Sequence, residues 1–88
     1  TRDLSLVVPH EVLAGQIEEI FDQRGGNILE SYQLFDIYEG AQIEKGFKSM
    51  AYSLVFRAHD KTLGENEISA VMKKIMNGLN GLGIELRS

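Results

Sequence analysis

The chain has 88 residues, 43% of them apolar, a formal charge of −4 and no cysteine. That is enough for one small core and too little for a two-domain enzyme with a cleft between its halves, and the missing thiols exclude disulfide frameworks, thiolate zinc sites and cysteine nucleophiles while suiting a reducing cytoplasm. The acidic balance argues against a nucleic-acid binder built on a broad cationic footprint, and no apolar run approaches the ~20 residues of a bilayer span, so a soluble chain without a membrane partner is expected.

The opening Thr1-Arg2-Asp3-Leu4 carries neither an initiator Met nor a charged leader followed by an apolar stretch, and predicts a piece excised from a longer chain. Over residues 2–8, Leu4, Leu6 and Val8 alternate with Asp3, Ser5 and Val7, the period of a strand with one buried face, and Pro9 stops it. Residues 12–24 read as a helix: Leu13, Ile17, Ile20 and Phe21 recur at helical spacing and Glu18, Glu19 and Asp22 lie off that stripe. Gly25-Gly26-Asn27 turns the chain into a second strand over residues 28–38. A polar connection over residues 39–46 leads to a third strand at 47–58, so the two strands should form a long-looped hairpin.

Thr62 and Glu65 have the spacing of a capping box. The helix they would open has the clearest pattern in the chain, with Ile68, Val71, Met72, Ile75, Met76 and Leu79 along one face. Gly78, Gly81 and Gly83 are expected to fray its end, and residues 84–87 read as a short last strand. The order β-α-β-β-α-β predicts an α+β ferredoxin-like sandwich, a four-stranded antiparallel sheet with the first and third strands in the middle and both helices on one face.

The other face is left open. With Leu4, Leu6 and Val8 turned to the helices, Ser5 turns outward; with Met50, Leu54 and Phe56 inward, Ser49, Ala51, Ser53, Val55 and Arg57 turn outward. On the second strand, Phe35 and Ile37 are assigned to the core and Leu34, Asp36 and Tyr38 to the open side, because the opposite parity would bury a carboxylate. Asp36, Tyr38, Ser5 and Ser49 then share one surface, with Arg87 near by if the last strand pairs beside the first. Small side chains let a flat base approach, Tyr38 offers a ring for stacking, and the carboxylate and hydroxyls can read donors and acceptors on base edges.

The strings Arg2-Asp3-Leu4-Ser5-Leu6-Val7-Val8, Leu34-Phe35-Asp36-Ile37-Tyr38-Glu39-Gly40, Gly46-Phe47-Lys48-Ser49-Met50-Ala51-Tyr52, Phe56-Arg57, Thr62-Leu63 and Gly83-Ile84-Glu85-Leu86-Arg87 follow one another over nearly the whole chain. In that order and spacing they resemble the signatures of the ferredoxin-fold anticodon-binding domain. The Leu-Phe-Asp-x-Tyr-x-Gly strand end combined with Gly-x-Lys-Ser is similar to the form found in the β-subunit of the bacterial phenylalanyl-tRNA synthetase.

The resemblance implies a single domain over residues 1–88, C-terminal in that subunit, which holds phenylalanine tRNA by its anticodon region in the cytoplasm and contains no catalytic residue or metal site. It implies no cofactor in this domain, with ATP and magnesium serving the full synthetase, and as protein partners the α-subunit and the rest of the β-subunit in an α2β2 heterotetramer. Carried over by motif, the RNA-binding positions would be Ser5, Asp36, Tyr38, Ser49 and Arg87. Position 5 is Ser where the family commonly has Ala, and position 47 is Phe where a basic residue is frequent.

Acidic residues gather on the first helix, whereas Lys45, Lys48, Arg57 and Lys61 stand against Asp60 alone, so the net charge is a poor guide to the local field and a thin cationic footprint is expected. His10 and His59 read as exposed loop histidines, Met72 and Met76 as core filler, and Lys73-Lys74 as a solvated face. Gly25-Gly26 precedes a strand, unlike a phosphate-cradling loop. Two other readings share the topology: a regulatory module binding a small molecule at a dimer interface, and an enzyme of acylphosphatase type. Both need a special loop after the first strand, and Pro9-His10-Glu11 supplies neither glycine nor arginine there.

Overall fold

A computed structural model describes residues 2–58 and 62–87. The order is β1 (Arg2–Pro9), α1 (Ala14–Arg24), β2 (Leu29–Tyr38), β3 (Phe47–Phe56), α2 (Glu65–Asn80) and β4 (Glu85–Leu86). The strands form one sheet in the order β2-β3-β1-β4, antiparallel throughout, with β3 and β1 in the middle as expected. Leu4, Leu6 and Val8 of β1 and Met50, Tyr52 and Leu54 of β3 meet Ile17 and Phe21 of α1 and Ile75 and Leu79 of α2 in one buried cluster. Both helices therefore cover one face of the sheet. Val71, Met72 and Met76 pack on that cluster, so the methionines fill core space.

Polar groups on the helix side have partners. The Tyr32 hydroxyl donates to Asp22 Oδ1 (2.8 Å) and the Tyr52 hydroxyl to Glu18 Oε2 (3.2 Å), while the ring of Phe21 sits between them, 5.2 and 5.0 Å from their centroids. Burial, and after it the Glu18 carboxylate, raise the pKa of Tyr52. Tyr32 is pushed up to about 12, chiefly because its hydrogen bond to Asp22 favours the protonated phenol.

Several expectations are corrected. The capping box at Thr62 does not form: α2 starts two residues later than that motif requires, its N-cap is Gly64 without a side-chain bond, and Glu65 pairs with Arg2. Leu13 is an exposed cap residue and lies off the buried stripe; Gln16 Oε1 accepts from its backbone N–H at 2.8 Å, and Val12 is buried in its place. Gly78 does not fray α2. It lies inside the helix where a Cβ would come within 2.9 Å of Ile20 Cγ2 and of the Arg24 stem, so its bareness admits α1.

The assignment of the second strand is corrected at three residues. Phe35 is 56% exposed and Ile37 55% exposed, so neither belongs to the core. The register shows why: Leu34 pairs with Tyr52 but Asp36 pairs with Ala51, so Phe35 is an extra residue, a β-bulge. The bulge reverses the alternation. Leu34, expected on the open side, lies with Tyr52 against the core, and Ile37 pairs with Met50 on the helix side of an edge strand that the helices leave uncovered. Asp36 and Tyr38, opposite Ala51 and Ser49, remain on the open side.

Candidate nucleic-acid interface

Pairing across the sheet arranges the open face in rows. In one, Asp36 of β2 lies beside Ala51 of β3 and Ala51 beside Ser5 of β1. The register of β1 with β4 extends this row to Arg87, whose backbone N–H donates to Ser5 O at 2.7 Å. In the next row Tyr38 lies beside Ser49, Ser49 beside Val7, and Val7 beside Glu85. The five residues singled out from the sequence thus fall in two adjacent rows. Strands are ~4.8 Å apart and same-face residues ~7 Å apart along a strand, so the rows span a patch of about the dimensions of one or two stacked bases.

The centre of this patch is low and its flanks are high. Ser49 is only 7% exposed and Ala51 is similarly covered, whereas Asp36, Tyr38 and Arg87 at the flanks are exposed and Ser5 is partly so. Ser49 can therefore meet a ligand only through what reaches down beside Tyr38. The side chains of Ser5, Asp36, Tyr38, Ser49 and Arg87 make no hydrogen bond or ion pair with one another or with any other described residue. Acceptors at Asp36, donors at Arg87 and hydroxyls between them are open to water or to an external partner. The described residues enclose no cavity at this face.

The basic set read from the sequence is smaller here than expected. Lys48 belongs to the helix side, and its Nζ donates to Val12 O at 2.8 Å and reaches His10 O at 3.5 Å, clamping the loop between β1 and α1. Sequence reasoning missed this role, although its even parity with Met50 and Leu54 was a usable signal. Arg57 pairs with Glu30 at 3.3 Å and Lys61 lies outside the described residues, leaving Arg87 as the cation within the two rows. His10 is exposed, with its Nε2 2.5 Å from Glu39 Oε1; His59 lies outside the described residues. Among the described residues no three imidazole or carboxylate groups converge as metal ligands, and no helix is long and apolar enough to cross a membrane.

Comparison with known proteins shows the family of the fold. The family described as ferredoxin-fold anticodon binding domain matches residues 1–87. The chain is similar to the phenylalanine–tRNA ligase β-subunit of Clostridium tetani, 51% identical over 87 residues, which is 98% of this chain and 11% of that protein. It is 41% identical over its whole length to the corresponding subunit of Symbiobacterium thermophilum, covering 10% of it, and 38% identical over 79 residues to that of Bacillus subtilis, 90% of this chain and 10% of that protein. The chain thus spans about a tenth of the length of these relatives. A split β-α-β sandwich with an open polar face, matched by that family from its first residue to its last but one, belongs to the ferredoxin-fold anticodon-binding domain family.

Proposed function

We propose that this chain is the anticodon-binding domain of a phenylalanine–tRNA ligase β-subunit, C-terminal in that subunit, and that it holds phenylalanine tRNA while aminoacylation proceeds elsewhere in the enzyme. The observation that carries this reading is the pair of rows on the open face, where Ser5, Asp36, Tyr38, Ser49 and Arg87 offer polar side-chain groups that no other described residue engages. Asp36 accepts hydrogen bonds from amino or imino groups on a base edge, Tyr38 provides a ring for stacking, the serine hydroxyls donate or accept, and the Arg87 guanidinium meets a phosphate or the acceptor edge of a base. Small residues in the centre let the base plane come close.

One cation in the rows supports only weak binding by the domain alone, with a shallow salt dependence. In the assembled ligase, an α2β2 heterotetramer in the cytoplasm, the α-subunit and the rest of the β-subunit supply most of the affinity, and this face adds its contacts at high effective concentration. ATP and magnesium act in the full enzyme, away from this chain.

The test is Asp36→Ala and Tyr38→Ala in the full ligase. The KM for phenylalanine tRNA should rise on the order of tenfold, the scale of one lost stacking or base-edge contact, with amino-acid-dependent pyrophosphate exchange unaltered. An equal loss of amino-acid activation in folded variants would refute the proposed division of labour.

A further inference from the structure

We propose that Gly40 is a positioning residue for Tyr38: the side chain missing at position 40 is the space that the hydroxyl end of the Tyr38 ring occupies. The proposal rests on the reading of the open face as an RNA-binding surface, and names the residue that sets its stacking ring.

Backbone conformation does not explain this glycine. Gly26, Gly46 and Gly83 have positive φ and Gly40 does not, so an L-residue could follow the same chain path there. The obstacle is a single side chain. A Cβ built on Gly40 would lie 2.6 Å from Tyr38 Cζ, 3.2 Å from Cε2 and closer still to the hydroxyl oxygen, so its three nearest neighbours all belong to Tyr38. Real Cβ atoms do not approach that closely, so either the loop or the ring must move.

The loop is the less movable of the two. Gly40 O accepts from Ile43 N at 3.0 Å, and Ile43 is buried. On the other side of Gly40, Glu39 pairs with His10, and His10 N donates to Gly46 O at 2.9 Å, which ties both ends of the connection to the end of β1. Tyr38, by contrast, is 42% exposed and its hydroxyl has no hydrogen-bond partner among the described residues. A methyl group at position 40 therefore turns the ring and leaves the backbone where it is. A tyrosine ring is rigid, so a shift at Cζ displaces the stacking plane as a whole. The fold should tolerate the substitution while the ring loses its place beside Ser49 and Asp36.

The experiment uses the purified ligase containing this chain, with Gly40→Ala, Tyr38→Ala and the double variant, and with Asp36→Ala and Arg87→Ala as controls for the face. Aminoacylation kinetics, pyrophosphate exchange and the melting midpoint are measured for each. Gly40→Ala is expected to raise the KM for phenylalanine tRNA several-fold, with melting and pyrophosphate exchange unchanged, and to add nothing in the Tyr38→Ala background. Three results would overturn the proposal: an unchanged KM in Gly40→Ala beside a raised one in Tyr38→Ala, the same added factor in both backgrounds, or a lowered melting midpoint that persists in the double variant. If Tyr38→Ala is silent while Asp36→Ala or Arg87→Ala raises KM, the proposal fails and the RNA-binding face stands. If all of these variants are silent, the reading of the face fails with it.

Discussion

The two faces of this sheet are made by alternate residues of the same strands, yet they treat polar groups in opposite ways. Beneath the helices, Tyr32, Tyr52 and Lys48 each reach an acceptor inside the chain: Asp22, Glu18 and the Val12 carbonyl. On the open side, Ser5, Asp36, Tyr38 and Arg87, all exposed or partly so, reach none among the described residues. A polar group cut off from water by packing must find an internal partner or cost the fold free energy, whereas one facing solvent bonds water until a ligand displaces it. The helix side therefore holds the fold together, and the open side is the one proposed for recognition. Substitutions should separate accordingly.

The strongest break is expected at Phe21, which is fully buried and holds the rings of Tyr32 and Tyr52. Phe21→Ala removes a ring's worth of transfer free energy and leaves a cavity, a loss of about 3–5 kcal/mol, much of the ~5–15 kcal/mol that separates folded from unfolded domains. Urea unfolding followed by circular dichroism measures it. A loss under about 1 kcal/mol would mean that the stabilising weight is not on the helix side.

Alkaline titration attacks the same face by another route. The Tyr32 phenol is pushed up to about 12, first by its bond to Asp22, and that of Tyr52 is raised first by burial and then by Glu18. Unfolded tyrosine titrates near ~10, so the folded state holds these protons more tightly. The stability they contribute is complete below about pH 10 and is lost as the pH rises from there through 12. The melting midpoint should fall over that window, and less steeply in Tyr52→Phe, which has no phenol to ionise. An identical fall in both would exclude Tyr52 as a source.

Much of this division is legible in the sequence, because Leu4, Leu6 and Val8 on the first strand and the stripe from Ile68 to Leu79 obey simple periods. The grouping of Ser5, Asp36, Tyr38, Ser49 and Arg87 on one surface follows from the same alternation. What escapes the sequence is decided by contacts distant along the chain. Leu34-Phe35-Asp36-Ile37 admits two parities, and a reading by period must choose one; the strand uses both, because pairing with β3 extrudes Phe35. Thr62 and Glu65 satisfy a local capping rule, but Arg2, from the other end of the chain, engages Glu65. Gly40 stands in a recognisable motif, and only the folded chain brings it against the Tyr38 ring.

Lys48 separates charge from location. By composition it belongs to the cationic set that would attract a phosphate, but its ammonium is on the helix side and donates to Val12 O. Lys48→Met keeps the stem and removes the donor, and should cost about 1–2 kcal/mol of stability, the net worth of a charge-assisted hydrogen bond in a partly buried setting. The KM of the ligase for phenylalanine tRNA should stay within about twofold of the parent. A large rise in KM without loss of stability would move Lys48 to the recognition surface.

The smallest expected effect tests the open face most directly. Asp36→Ala removes an exposed carboxylate with no internal partner among the described residues, so urea unfolding should change by less than about 0.5 kcal/mol, in either direction. Arg2→Gln is the matched control, because it breaks an exposed ion pair with Glu65 on the helix side, where solvent screening keeps the value of such a pair to about 0–1 kcal/mol. The two substitutions should be nearly equal in stability and unequal in tRNA binding, where only Asp36→Ala weakens the complex. If Asp36→Ala destabilised the fold by more than about 1 kcal/mol, its carboxylate would have a structural role, and the line drawn between the two faces would have to pass on the other side of β2.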